Sequence, residues 1–224
     1  MKAESVLNSI SEIKRAIEGG LYSVAQMLLD EVANQCEYEI ASAAMKKAGC
    51  SNQYKAIANY AKYCKKKMLK EDRPYLAGMY EVDGIPMIMD GYSGIVCYEK
   101  LDGIVQAERP ESDGYKLFDL RTAIMTNGTE KKIHIDTDKL FSLLALFKAK
   151  KIKNEIHKFK AGDRVFDTEA FKRIYDCTQP MTIYLKPNFG MIFVGEKASG
   201  CLCCMSTNTQ PTEGAEEVAV LVEN

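Results

Sequence analysis

Apolar residues recur first at helical spacing. A helix is predicted from about Ala3 to Glu18, ended by Gly19-Gly20. Val24, Leu28, Val32, Cys36, Ile40, Ala44 and Ala48 continue the 3–4 residue rhythm and predict a second helix from Leu21 to about Ala48, closed by Gly49. Ser51 is placed to cap a third helix to about Leu69, with Tyr54, Ile57, Ala58, Ala61 and Cys64 on its apolar side. The short connections imply antiparallel neighbours, hence an N-terminal helical unit over residues 1–72.

At Arg73-Pro74 the period changes, because proline cannot continue a helix and pushes the residue before it toward an extended conformation. Strands are predicted at 77–82, 85–89 and 95–98, joined by turns at Asp83-Gly84 and Asp90-Gly91, with Pro86 weakening the second strand or placing it at an edge. Residues 101–116 read as an exposed connection, 118–125 as a short helix, and Asn127-Gly128 as its stop.

A phrase then occurs twice. Ile133-His134-Ile135-Asp136-Thr137-Asp138-Lys139-Leu140 is answered by Arg164-Val165-Phe166-Asp167-Thr168-Glu169-Ala170-Phe171. Each copy is a strand end, Asp-Thr, an acid and an apolar helix, which suggests a domain of two similar halves. The helices are expected at 137–150 and 168–176, capped at Thr137 and Thr168. Further strands are expected at 155–159, 181–185, 191–194 and 201–205, with Ala198-Ser199-Gly200 separating the last two. Residues 207–224 are acidic and poor in aromatics and read as mostly disordered. Their apolar run Val218–Val222 suits a strand, added either to a partner's sheet or to this one.

Composition narrows the function classes. At 46% apolar residues the chain can bury a core, and a net charge of −1 confines any nucleic-acid contact to a local patch. The N-terminus has no apolar leader and no run is long enough to cross a membrane, so a cytoplasmic location is expected. The eight cysteines lack zinc-type pairing, and a strand puts Cys201 and Cys203 on one face and Cys204 on the other. A reduced core role is expected, with no metal and no cofactor. No phosphate loop, nucleophile elbow or metal motif occurs, so catalytic residues are not assigned. His134 and His157 lie in strand patterns and suit structural roles, and the paired acids at 136/138 and 167/169 suit helix starts.

The positive signal is charge. Seven lysines and one acid lie between Lys139 and Lys160, and Lys172 and Arg173 fall on the polar side of the second repeated helix. Lys139, Lys148, Lys150, Lys151, Lys153, Lys172 and Arg173 are therefore candidate contacts for double-stranded DNA, since Lys and Arg near phosphates gain affinity by releasing counterions. Lys62, Lys65, Lys66, Lys67 and Lys70 form another basic run, read first as a solvated helix face and second as a phosphate-binding surface.

Three segments resemble a known family. Arg73-Pro74-Tyr75-Leu76-Ala77-Gly78, then Glu81-Val82-Asp83-Gly84, then Met89-Asp90-Gly91-Tyr92, is similar to the bacterial DNA sliding clamp, the beta subunit of the replicative polymerase. The stretch from Asp167-Thr168-Glu169-Ala170-Phe171 to Cys203-Cys204-Met205 resembles the clamp's last half-domain. The resemblance covers residues 73–206 and implies an α+β domain of two βαβββ-type halves behind the N-terminal helices, with residues 207–224 as a tail. It implies a non-enzymatic accessory of DNA replication, a scaffold and not a catalyst, in a diverged relative encoded by a phage or prophage. Clamps are rings of such units with helices facing DNA, so the helices at 137–150 and 168–176 would face DNA and several copies would be needed. Clamps also dock partner peptides, which implies partner contact at Tyr92 and Met205; here Ser93 and Gly94 replace that turn's usual arginine and leucine. The alternative is a protein-interaction module, acting through a sheet edge, the helical unit or the tail, with no DNA role.

Overall fold

A computed structural model describes residues 3–47, 51–99, 101–108, 117–150, 156–187, 189–205, 216–217 and 219–221. The fold is α+β, with helices preceding a mostly antiparallel sheet domain. Helices α1 (Ala3–Glu18), α2 (Tyr22–Lys47) and α3 (Ser51–Lys70) come first. Gly20, at φ +70°, ends α1: its N–H donates to Ile17 O and the N–H of Leu21 to Ala16 O, the paired bonds of a Schellman turn. None of the described helices is long and apolar enough to cross a membrane.

A 3-10 turn (Pro74–Leu76) leads into a meander of β1 (Met79–Val82), β2 (Ile85–Met89) and β3 (Ser93–Cys97). After α4 (Arg121–Ile124) come β4 (Lys131–Ile135), α5 (Thr137–Ala149), β5 (Lys158–Ala161), β6 (Arg164–Asp167) and α6 (Thr168–Thr178). A second meander follows: β7 (Met181–Lys186), β8 (Gly190–Gly195) and β9 (Ala198–Cys203). Two short strands, β10 (Glu216–Glu217) and β11 (Ala219–Leu221), come last. The main sheet runs β1-β2-β3-β9-β8-β7-β4-β11, and β10-β5-β6 form a smaller one.

The order β1-β2-β3 | β9-β8-β7 reads the same from either end. Met87 pairs with Val96 in the first meander as Ile192 pairs with Cys201 in the second, and the two join antiparallel with Ile95 opposite Gly200. Helices α3 and α6 lie side by side on one face, where Gln53 Nε2 donates to Cys177 O at 2.9 Å and the Arg173 guanidinium lies 4.1 Å from the Tyr63 ring centre. The two halves are thus α3-β1-β2-β3 and α6-β7-β8-β9. The twice-written phrase instead starts α5 and α6, and β4-α5-β5 stands between the halves. The first half takes its helix from the N-terminal unit, so residue 72 is not a domain boundary: Tyr54, Ile57, Tyr60, Ala61 and Cys64 share one core with Ile88, Ile95, Phe171, Ile174 and Phe193. A second core on the opposite face joins Met87, Val96 and Cys201 to Leu76, Leu120 and Ala123.

Several expectations are corrected by long-range contacts. The described part of 101–116 is not an exposed connection: Leu101 and Ile104 are buried, and the N–H of Met79 donates to Val105 O at 2.7 Å. Strand β2 is internal despite Pro86; its ladder with β3 begins at Met87, so the missing N–H breaks no bond there. Ala198-Ser199-Gly200 starts β9 and separates nothing. A Cβ on Gly200 would lie 2.6 Å from Ile174 Cγ2, so this glycine serves helix–sheet approach, not a turn. The strand expected at 155–159 is Lys158–Ala161, and residues 151–155 lie outside the described residues. The caps are Asp136 and Asp167, one residue before the threonines: the Asp136 carboxylate accepts from the N–H of Lys139, and that of Asp167 from Glu169 and Ala170. Part of the tail is structured, since β11 pairs with β4 in this sheet, whereas residues 207–215 lie outside the described residues.

Candidate functional site

Two surfaces carry chemistry. The first is a groove of about 340 Å³ on the sheet face opposite α3 and α6. Tyr75 and Leu76 enter from the 3-10 turn, Met89 and Tyr92 from the β2–β3 turn, Phe118 and Leu120 from the segment before α4, Phe189 from the β7–β8 turn, and Cys201 and Cys203 from β9. Tyr92 and Phe118 are exposed large apolar residues. Strand β9 is tied to the turn by the N–H of Cys203, which donates to Tyr92 O at 2.8 Å.

A buried polar cluster shapes this turn. Asp90 is 2% exposed. Its Oδ1 accepts from the N–H of Tyr92 (3.0 Å), the N–H of Ser93 (2.8 Å) and Ser93 Oγ (3.0 Å). Lys67 Nζ lies 3.5 Å from Asp90 Oδ2, donates to Asp90 O at 2.8 Å, and stands 4.7 Å from the Tyr92 ring centre. Tyr60 OH donates to Ser93 O at 2.9 Å, so α3 holds the turn from beneath. Burial pushes the Tyr60 hydroxyl well above its ordinary pKa, which keeps it a donor. Burial likewise pushes the Cys201 thiol up to about 12 and raises that of Cys203. The thiols stay protonated, so the groove offers apolar contact with cations at its rim and no thiolate.

The second surface is the helix layer. Lys55, Lys62, Lys66 and Lys70 are exposed along one stripe of α3. On the neighbouring helices most cations already face carboxylates. Lys172 lies 2.8 Å from Asp176, Arg173 3.8 Å from Glu169, and Lys148 3.1 Å from Glu169. Lys172 also stands 4.5 Å from the Phe141 ring centre. Lys139 on α5 and Lys150 at its C-terminal cap are exposed; Lys151 and Lys153 lie outside the described residues.

The structure therefore brings Tyr92 to the groove but not Met205, whose N–H donates to Val165 O at 2.9 Å and ties the end of β9 to β6; Cys203 lines the groove in its place. Sequence reasoning missed Phe118 and Phe189, which carry no local signal of a groove. It named Lys62, Lys66 and Lys70 of α3 without selecting them, and it did not name Lys55. His157 is structural, with Nδ1 2.9 Å from Thr168 Oγ1, while His134 is exposed on β4. Among the described residues no three His, Cys, Asp or Glu side chains converge as a metal site would need. No protein-family model, no curated protein and no solved structure matches the chain.

Proposed function

We propose that this chain is a non-enzymatic, sliding-clamp-like scaffold that meets double-stranded DNA with its helix layer and offers its groove to a replication partner. The observation that carries this reading is the two-fold arrangement of α3-β1-β2-β3 and α6-β7-β8-β9, with both helices side by side on one face of a continuous sheet. It supports the resemblance from outside the short motifs that first suggested it. On this reading the DNA-facing cations are Lys55, Lys66 and Lys70 of α3, joined by Lys139 of α5 and Lys150 at its C-terminal end. Lys148, Lys172 and Arg173 contribute less, because each already faces a carboxylate.

The test is the anisotropy of a labelled 20-base-pair duplex across a salt series. The triple variant Lys55→Glu/Lys66→Glu/Lys70→Glu should bind more weakly and lower the slope of log K against log salt by about three, one per lost phosphate contact. Tyr92→Ala should leave DNA binding unchanged. Equal affinity and slope for the triple variant would overturn the DNA reading. A second reading, a protein-interaction module with no DNA role, is favoured by the ion pairing on α5 and α6 and by the apolar groove, and that same result would leave it standing.

A further inference from the structure

The α1–α2 hairpin leaves more apolar surface open than its own packing uses. Ile13, Ala16 and Ala25, with Leu28 and Val32 against them, form a small core between the two helices. Leu7, Ile10 and Ile17 of α1 and Tyr22, Leu29 and Ile40 of α2 remain between 46% and 72% exposed.

These six share one side of the hairpin, while Val24 and Met27, also exposed, lie on the other side of α2. At 100° per residue the three on α1 fall within about 80° of one another and the three on α2 within about 20°. On each helix this open stripe is reached from the buried stripe by turning the same way, by roughly 80–100°. The Gly19–Leu21 turn makes the helices antiparallel, and equal rotations on antiparallel helices lead to the same side of the pair. The six side chains therefore share one side of the pair, where exposed Lys14, ion-paired to Glu18, falls between Leu7 and Ile10 on α1, and exposed Cys36 and Ala33 extend the α2 edge.

The geometry points to a second copy of this chain as the occupant, with two hairpins closing a four-helix bundle through this face. The area fits: taking roughly 180–210 Å² for each fully exposed side chain, the six offer about 650 Å² before any polar rim is counted, against about 800 Å² per partner in a standard stable interface. The shape fits, because an open two-helix face is half of a four-helix bundle, and a two-fold axis lets one patch serve both copies. Charge disfavours the other broad occupants. Residues 3–47 hold seven acidic and four basic side chains, the wrong balance for an anionic membrane or for nucleic acid. This surface lies on α1 and α2, whereas the proposed DNA and partner contacts lie on α3, α5 and the groove, so either inference can fail without the other.

The test is light-scattering mass after gel filtration of the full chain at about 50 µM, in 0.15 M and 1 M salt. The expected mass is twice the 25.1 kDa of one chain at both salts, since apolar burial does not weaken with screening. Ile17→Lys/Leu29→Lys should elute at the single-chain mass with unchanged helix content by circular dichroism, because both side chains are exposed within one copy. A second variant pair, Ile10→Asp/Ile40→Asp, should do the same. A monomeric wild-type chain, a dimer that survives both pairs, or a species larger than two chains would overturn the proposal.

Discussion

Removing the Asp90 carboxylate should loosen the groove's floor and destabilise the whole sheet. Oδ1 accepts three hydrogen bonds, and Ser93 beside it is 3% exposed. In Asp90→Ala the N–H of Ser93 is left buried without an acceptor, which costs about 1–3 kcal/mol. Ser93 Oγ keeps Tyr60 OH at 3.0 Å, while exposed Tyr92 and partly exposed Lys67 can turn to water, so these add only about 1 kcal/mol. The expected loss is about 3 kcal/mol, or a fall in Tm of about 6–12 °C for a chain of this size. Asp90→Asn keeps an acceptor at Oδ1 and loses the Lys67 ion pair, so it should cost about 1 kcal/mol. Differential scanning calorimetry with urea titration measures both. An alanine variant within about 1 kcal/mol of wild type would refute the reasoning. Equal losses for alanine and asparagine would move the weight from the acceptor to the ion pair.

Two further outcomes follow from the packing of the sheet. Gly200→Ala should cost about 1–3 kcal/mol, because the new methyl would stand 2.6 Å from Ile174 Cγ2 and 3.0 Å from Gly94 O, and Ile174→Leu in the same chain, which lacks the Cγ2 methyl, should recover only part of it, as read by urea midpoints. Burial raises the Cys97 and Cys201 thiols to about 12 in the folded chain. A raised pKa gives stability that is complete below the ordinary thiol value near 9 and is lost as pH rises toward 12, because the unfolded chain releases those protons first. Stability should thus fall from pH 8 to pH 10 by about 1 kcal/mol per thiol more in wild type than in Cys97→Ala/Cys201→Ala, and identical pH slopes would contradict this.

What the sequence determined by itself is the set of elements written over a few neighbouring residues. The three N-terminal helices, the Asp83-Gly84 and Asp90-Gly91 turns and the starts of α5 and α6 all stand within a residue or two of their expected places. Each rests on local physics: 3.6-residue periodicity, positive-φ glycine, and a carboxylate over free N–H groups. The caps slipped only from Thr137 and Thr168 to the aspartates just before them, since aspartate there reaches the same donors.

Only the tertiary structure decided what those elements do together. The phrase repeated at 133–140 and 164–171 reflects two similar helix starts, not the two halves of the fold. Those halves are set by Ile95 meeting Gly200 and by α3 meeting α6, more than a hundred residues apart in the chain. Gly200 has the local look of a turn and became the point where a helix touches the sheet. Lys148, Lys172 and Arg173 looked like free cations, and the fold set carboxylates beside them. Pairing, close approach and charge neutralisation depend on residues brought together in space, and no short window of sequence contains both partners.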